Sequence, residues 1–184
     1  MDYFETNIKL LQKHDPALAN RVKEQSFPEN VKVSISKDGL PVPQIAGLSL
    51  HSKYHPGKEA VQLTQSFQLC NDSRTVIFGL GFGYHILPLI EKSEVTVIEP
   101  FMTIFRAFIS SVDLAPFLPK VRFRIAETPA SLLARYEPTN WNIFEHVPSV
   151  RLGESYYQQL HSGIETRNYI QNKPLRILVV KPIY

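Results

Sequence analysis

Residues 75–85 read Thr-Val-Ile-Phe-Gly-Leu-Gly-Phe-Gly-Tyr-His, an apolar strand that runs straight into Gly79, Gly81 and Gly83. Glycine is required where a chain turns sharply and a ligand must come close to the backbone. A second apolar strand, Val95-Thr-Val-Ile, ends in Glu99, and 99 − 79 = 20 residues separate this acid from the first glycine. An acid at that distance, at the end of the second strand, is placed to bind ribose hydroxyls. Strand, glycines, helix, strand and acid agree in order and spacing. They predict a Rossmann-like unit with Gly79, Gly81, Gly83, Tyr84 and Glu99 around a nucleoside-bearing ligand. The helix expected near residues 84–92 would aim free N–H groups at an anionic or carboxylate-bearing part of it. The alternative is a tight turn in a fold whose site has been lost or moved.

The rest of the chain extends this pattern on both sides. Strands are expected at Thr75–Phe78, Val95–Ile98, Val121–Ile125, Trp141–Phe144 and Leu175–Val180, with helices near 84–92, 101–111, 128–136 and 154–171. Several of the strands are continuous apolar runs, as a sheet covered on both faces requires. Alternation of this kind predicts an α/β fold, a parallel sheet with helices on both faces. Ahead of it, Phe4, Ile8, Leu11 and then Leu18, Val22 recur at helical spacing, broken by His14-Asp15-Pro16. Asp15 is a suitable N-cap, and Pro16 suits the first helical position. Val31, Val33 and Ile35 alternate with polar residues, and Asp38-Gly39 is a hairpin turn signal. Residues 31–50 therefore read as a small antiparallel β-meander, in which Pro41 and Pro43 confine the second strand to an edge. The division expected is a helical and β-meander region over 1–70, a Rossmann-like unit over 71–174, and a last strand or the start of a following domain over 175–184.

Composition narrows the class of function. With 20 basic and 17 acidic residues the net charge is +3, and the basic residues are scattered, so no nucleic-acid-binding face is signalled. The one cysteine, Cys70, cannot close an internal disulfide, and no Cys/His cluster has zinc spacing; both fit a reducing cytoplasm. Cys70 reads as a small buried apolar residue. Nothing resembles a signal peptide, and no stretch reaches the length of a membrane helix.

Three further segments carry chemistry. Leu50-His51-Ser52-Lys53-Tyr54-His55-Pro56 gathers several polar groups in one loop. His51, Ser52 and Tyr54 read either as a lid or phosphate contact, or as caps of the helix that Pro56 opens. Glu127, after the third strand of the unit, reads either as an acceptor for an exocyclic amine or as a charge favoured at a helix N-terminus. Glu145-His146 ends the fourth strand, where ligands bind in open α/β sheets. His146 is a candidate general base or substrate contact, or a structurally hydrogen-bonded histidine. His85 reads as helix surface or core edge.

The glycine spacing resembles that of S-adenosylmethionine-dependent methyltransferases more than that of dehydrogenases, since Tyr84 stands where a dinucleotide fingerprint has its third glycine. Those methyltransferases usually carry an acid two residues before the first glycine, where this chain has Ile77. Three motifs together resemble another family: Leu50-His-Ser-Lys-Tyr-x-Pro-x-x-Glu-Ala60, then Val76-Ile-Phe-Gly-Leu-Gly-Phe-Gly-Tyr-His85, then Val97-Ile-Glu-Pro100. They look like the bacterial motility accessory factor family, itself similar to archaeal hydroxymethylpterin diphosphokinase, over roughly residues 30–150. That resemblance implies a methyltransferase-like Rossmann core, a link to glycosylation of surface proteins, and a nucleotide or nucleotide sugar as ligand. It marks Gly79, Gly81, Gly83 and Glu99 as ligand-loop positions and His51–Tyr54 as a weaker candidate. Leu175-Arg-Ile-Leu-Val-Val-Lys-Pro-Ile-Tyr184 also resembles the first strand of spore-maturation glycosyltransferase-like proteins, which implies a further domain of the same protein as partner.

The expectation is a cytoplasmic, nucleotide- or nucleotide-sugar-binding module of a larger bacterial protein linked to glycosylation. Its alternatives are an S-adenosylmethionine-dependent methyltransferase and a non-catalytic scaffold. No metal site is legible, and neither a membrane nor a nucleic acid is expected as partner.

Overall fold

A computed structural model describes residues 2–68, 74–118, 120–136, 141–170 and 176–178. The chain opens with helices α1 (Phe4–His14) and α2 (Pro16–Lys23), the strands β1 (Val31–Ile35), β2 (Pro41–Ile45) and β3 (Leu48–Ser49), and helix α3 (Pro56–Gln65). Asp15 caps α2 by accepting the Leu18 N–H at 2.9 Å, with Pro16 in the first turn. There follow β4 (Arg74–Phe78), α4 (Leu87–Ile90), β5 (Val95–Glu99), α5 (Met102–Ser111), β6 (Val121–Ile125), α6 (Pro129–Arg135), β7 (Trp141–Glu145), α7 (Val147–Leu152), α8 (Glu154–Ile170) and β8 (Arg176–Leu178). Strands β4 to β8 form one parallel sheet in the order β6-β5-β4-β7-β8. The order reverses between β4 and β7, so the crevice at their carboxyl ends is the switch point where such sheets hold ligands. This is the expected Rossmann-like α/β fold.

The strand period of two sorts the core into two layers. Ile77, Val97 and Phe144 point to one face and pack with Phe105 and Phe108 of α5 and with Ile8, Leu11, Leu18 and Val22 of the N-terminal helices. Val76, Phe78, Ile98 and Ile143 point to the other face and pack with Tyr157, Leu160 and Ile164 of α8. The first cluster spans cap and sheet without a break. A buried amide reinforces it: Asn7 donates to the Ile109 and Val112 carbonyls at 2.8 and 2.7 Å and accepts the Leu114 N–H at 2.9 Å.

Three expectations change. β2 is the central strand of the meander and not an edge. Its prolines are tolerated because Pro43 turns its carbonyl to the Leu50 N–H, on the side of the two-residue β3, so the N–H it lacks is missed only there. The helix expected over 84–92 shrinks to Leu87–Ile90. Pro88 has no N–H to donate to Tyr84, so residues 80–86 close as successive turns, with Gly83 N–H on Leu80 O and Ile86 N–H on Gly83 O. The glycine loop therefore does not lead directly into a helix N-terminus. Finally, α7 follows β7 immediately and was not expected. Cys70 and residues 179–184 lie outside the described residues. Residues 176–178 of the last expected strand pair in parallel with β7.

Candidate functional site at the sheet switch point

The three glycines take the left-handed conformation, with φ of 95°, 49° and 78° at Gly79, Gly81 and Gly83. Side chains of the protein itself occupy the space that a Cβ would take at each. A Cβ on Gly79 would collide with the Ser149 side chain. One on Gly81 would stand 2.5 Å from His51 Nε2, and one on Gly83 would stand 2.7 Å from the Phe117 ring. The loop's N–H groups are engaged in the same way. Leu80 N–H donates to Glu99 Oε2 at 3.0 Å, and Phe82 N–H donates to His51 Nε2 at 2.8 Å. Glu99 is buried, and its Oε1 accepts the Phe101 N–H at 3.0 Å. Burial pushes its carboxyl up to about 7, against the lowering pull of those two N–H groups. Tyr84 donates its hydroxyl to the Pro41 carbonyl at 2.7 Å, tying the loop to the meander.

The open space lies on the other side of His51. A cleft of about 690 Å³ runs between the β3–α3 loop, the first turns of α3 and the β7–α7 junction. His51, Ser52, Tyr54 and His146 all line it, as do Lys53, His55, Lys58, Glu59 and Glu145. The structure thus brings together four residues singled out by sequence. Lys58 went unremarked, and Lys53 and Glu59 entered only as letters of the quoted motif, because loop and helix-turn charges carry no signal until a wall opposite them is known. Ser52 also organises the loop, its Oγ accepting the Tyr54 and His55 N–H groups at 3.2 and 3.3 Å. The glycines, Tyr84 and Glu99 lie behind this cleft rather than along it. Glu127 stands apart in a hollow of about 410 Å³ with Asp15 and Arg21, ion-paired to Arg124 at 3.8 Å and Arg135 at 3.5 Å. Another hollow of about 350 Å³, lined by Arg74, Val95, Arg122 and Trp141 among others, includes the first residues of strands, the end opposite to the one where such sheets bind ligands.

Between cleft and glycine loop sit three buried imidazoles, His51, His85 and His146. One ring nitrogen of each lies within 4.8 Å of the others. The rings stack: His85 and His146 are 4.1 Å apart at 3°, and His51 and His146 are 4.7 Å apart at 29°. A metal binds an imidazole along the in-plane nitrogen lone pair, at about 2.0–2.1 Å for zinc. Two parallel rings one above the other have no such point in common, so these rings as placed form a stack and not a ligand set. Burial holds all three below the usual histidine range, His85 at about 4, so the stack is neutral. His85, expected at a helix surface or core edge, is in fact central to it.

The chain matches no family model. It is 28% identical over 173 residues to an uncharacterized protein of Treponema pallidum (strain Nichols), covering 84% of this chain and 59% of that one. Its fold is that of a MAf glycosyltransferase from Magnetospirillum magneticum AMB-1, with a TM-score of 0.59 at 14% sequence identity, over 86% of this chain and 35% of that one. The chain thus spans less than two thirds of either protein. The likeness to the glycosyltransferase is one of fold, and it agrees with the motility accessory factor resemblance at that level. No helix among the described residues is long and apolar enough to cross a membrane.

Proposed function

We propose that this chain is a nucleotide-sugar-binding Rossmann-like module of a larger, cytoplasmic bacterial protein linked to glycosylation, and that the ligand lies in the cleft between the β3–α3 loop and the β7–α7 junction. The observation that carries the reading is the position of that cleft, at the carboxyl ends of the strands where the sheet order reverses. Its volume of about 690 Å³ lies in the range of small-molecule sites. Lys53 and Lys58 offer two ammonium groups to a diphosphate, and the Ser52 and Tyr54 hydroxyls, the Glu59 carboxylate and His146 offer partners to sugar or ribose hydroxyls. In this reading Gly79, Gly81, Gly83, Tyr84 and Glu99 shape the floor against which the histidines close. Glycosyl transfer itself belongs to further domains of a longer protein, as the shares covered in the two relatives support.

The test is calorimetric titration of the purified chain with a panel of uridine, guanosine and cytidine sugar nucleotides, with S-adenosylhomocysteine beside them. One sugar nucleotide is expected to bind saturably. Lys53→Ala with Lys58→Ala should weaken it about tenfold or more, since a hydrogen bond to a charged group contributes about 1.5–3 kcal/mol, with the unfolding midpoint unchanged. Binding of S-adenosylhomocysteine alone would replace the reading with a methyltransferase. Silence from every ligand would favour a scaffold, a second reading supported by the Leu80 and Phe82 N–H groups already held by Glu99 and His51.

A further inference from the structure

The histidine stack joins three distant parts of the chain. His51 comes from the β3–α3 loop, His85 from the turns after the glycine loop, and His146 from the end of β7. Each ring has a defined hydrogen-bonding role. Phe82 donates its N–H to His51 Nε2, so that nitrogen is bare and the His51 proton sits on Nδ1, 3.9 Å from Glu59 Oε2. His85 Nε2–H donates to the Gly79 carbonyl at 3.0 Å, which leaves Nδ1 bare, buried and without a partner. His146 Nδ1 and the Ser149 hydroxyl are 2.7 Å apart.

We propose that His51, His85 and His146 form a proton-operated latch: neutral, they hold the β3–α3 loop against the glycine loop as the wall of the cleft, and on taking up protons they release it. A proton on His51 Nε2 would set an N–H against the Phe82 N–H. A proton on His85 Nδ1 would bury a charge with nothing to pair it. A charge on any ring faces two others, with centroids 4.1, 4.7 and 5.8 Å apart. The groups packed around the stack offer little relief. Tyr84 meets His51 edge-on, Phe144 stacks on His85, and Ser149 is neutral. From α3, Glu59 is the one carboxylate near a ring, and its Oε2 already accepts the Ser52 N–H at 2.8 Å. Glu145 lines the same cleft but is hydrogen-bonded to His161, and Lys53, His55 and Lys58 add positive charge or the capacity for it. Swinging the loop outward carries His51 into water and uncovers the other two.

The sign follows from burial. All three rings are depressed below the ordinary 6.5 in the closed state, His85 to about 4. Closure is therefore at full strength above about pH 6.5 and weakens as pH falls from there toward 4. Each proton taken up on opening favours the open state about fifteenfold between pH 6.5 and 5.

Amide hydrogen exchange of the full chain at pH 7 and pH 5, corrected for the intrinsic rate, reads this directly. Opening of residues 48–55 and 80–84 should rise about twentyfold or more, while α8 stays unchanged. His51→Gln keeps a neutral acceptor for the Phe82 N–H and takes up no proton, so it should stay protected at pH 7 and lose much of the pH slope. If that variant does not fold, imidazole proton resonances of the native chain serve instead: three rings should stay neutral down to about pH 5 and then titrate together as the loop amides become exposed. An equal slope in His51→Gln, a flat profile in the native chain, or independent titration of the three rings near 6.5 overturns the proposal. So does stabilisation of the loop at pH 7 by added zinc with all three rings bound, which would make the cluster a metal centre. No ligand enters the experiment, so its failure leaves the cleft as a ligand site untouched.

Discussion

The glycine loop and the loop from Leu48 to Pro56 meet across His51, yet they differ in almost every physical respect. The glycine loop is dry and internally bonded: Leu80 and Phe82 are buried and their N–H groups are held by Glu99 and His51. The second loop is charged, half open and faces a cleft of about 690 Å³. A glycine motif by itself specifies a backbone shape, three left-handed residues that admit a close neighbour. Whether that neighbour is a ligand or another part of the chain is decided elsewhere, here by His51, 28 residues ahead of Gly79, and by His146 and Ser149, 67 and 70 residues beyond it.

The sharpest way to break this contrast is to fill the glycine loop. Gly83→Ala imposes a left-handed alanine, costing about 1–2 kcal/mol, and drives its Cβ into Phe117, where overpacking costs about 1–3 kcal/mol more. We expect a loss of about 2–5 kcal/mol in urea unfolding. A loss below about 1 kcal/mol would mean that the loop is not sealed by the core. An exposed glycine serves as the control: Gly39 also has positive φ, at 83°, but no atom within 4 Å of its Cβ position, so Gly39→Ala should cost only the backbone component.

Much of the sheet was legible because burial on both faces leaves apolar runs of strand length, as at Val121–Ile125, whose bounds the structure repeats. Asp15-Pro16 was legible because capping is local. What failed depended on partners far along the chain. Pro41 and Pro43 looked like edge residues, but the strand beside their missing donors is only two residues long. His85 looked peripheral because nothing nearby in sequence shows that His51 and His146 will close over it. Of the site, His51, Ser52, Tyr54 and His146 could be read from polar crowding and from the strand end, and they share one cleft. Glu127 could not be separated from that site by sequence, because its distance from the cleft depends on β6 lying at the far edge of the sheet.

A smaller effect sharpens the role of Glu99. Its carboxyl is raised from 4.5 to about 7 in the folded state, so the folded protein holds that proton more tightly than the unfolded chain. Its contribution to stability is present below about pH 4.5 and declines as pH rises through 7, the opposite sense to the histidines. Glu99→Gln places an amide N–H against one of the two backbone donors and should cost about 1–3 kcal/mol at pH 5. The gap to the native protein should narrow steadily toward pH 7.5, because only the native side chain ionises. A gap independent of pH would show that Glu99 is already ionised throughout and that its two N–H partners outweigh its burial.

The smallest effect isolates the seam itself. Tyr84→Phe removes one hydrogen bond, from the glycine loop to the Pro41 carbonyl at 2.7 Å, and leaves the ring edge against His51 in place. The expected cost is about 1 kcal/mol, the usual net contribution of such a bond. Where that cost falls matters more than its size. If cap and loop are held by His51 and Tyr84 together, exchange should rise in residues 41–45 and 48–55 while the sheet strands keep native protection. An equal loss spread over β4, β5 and β7 would mean that the meander and the sheet unfold as one body, and the latch would then have no hinge on which to open.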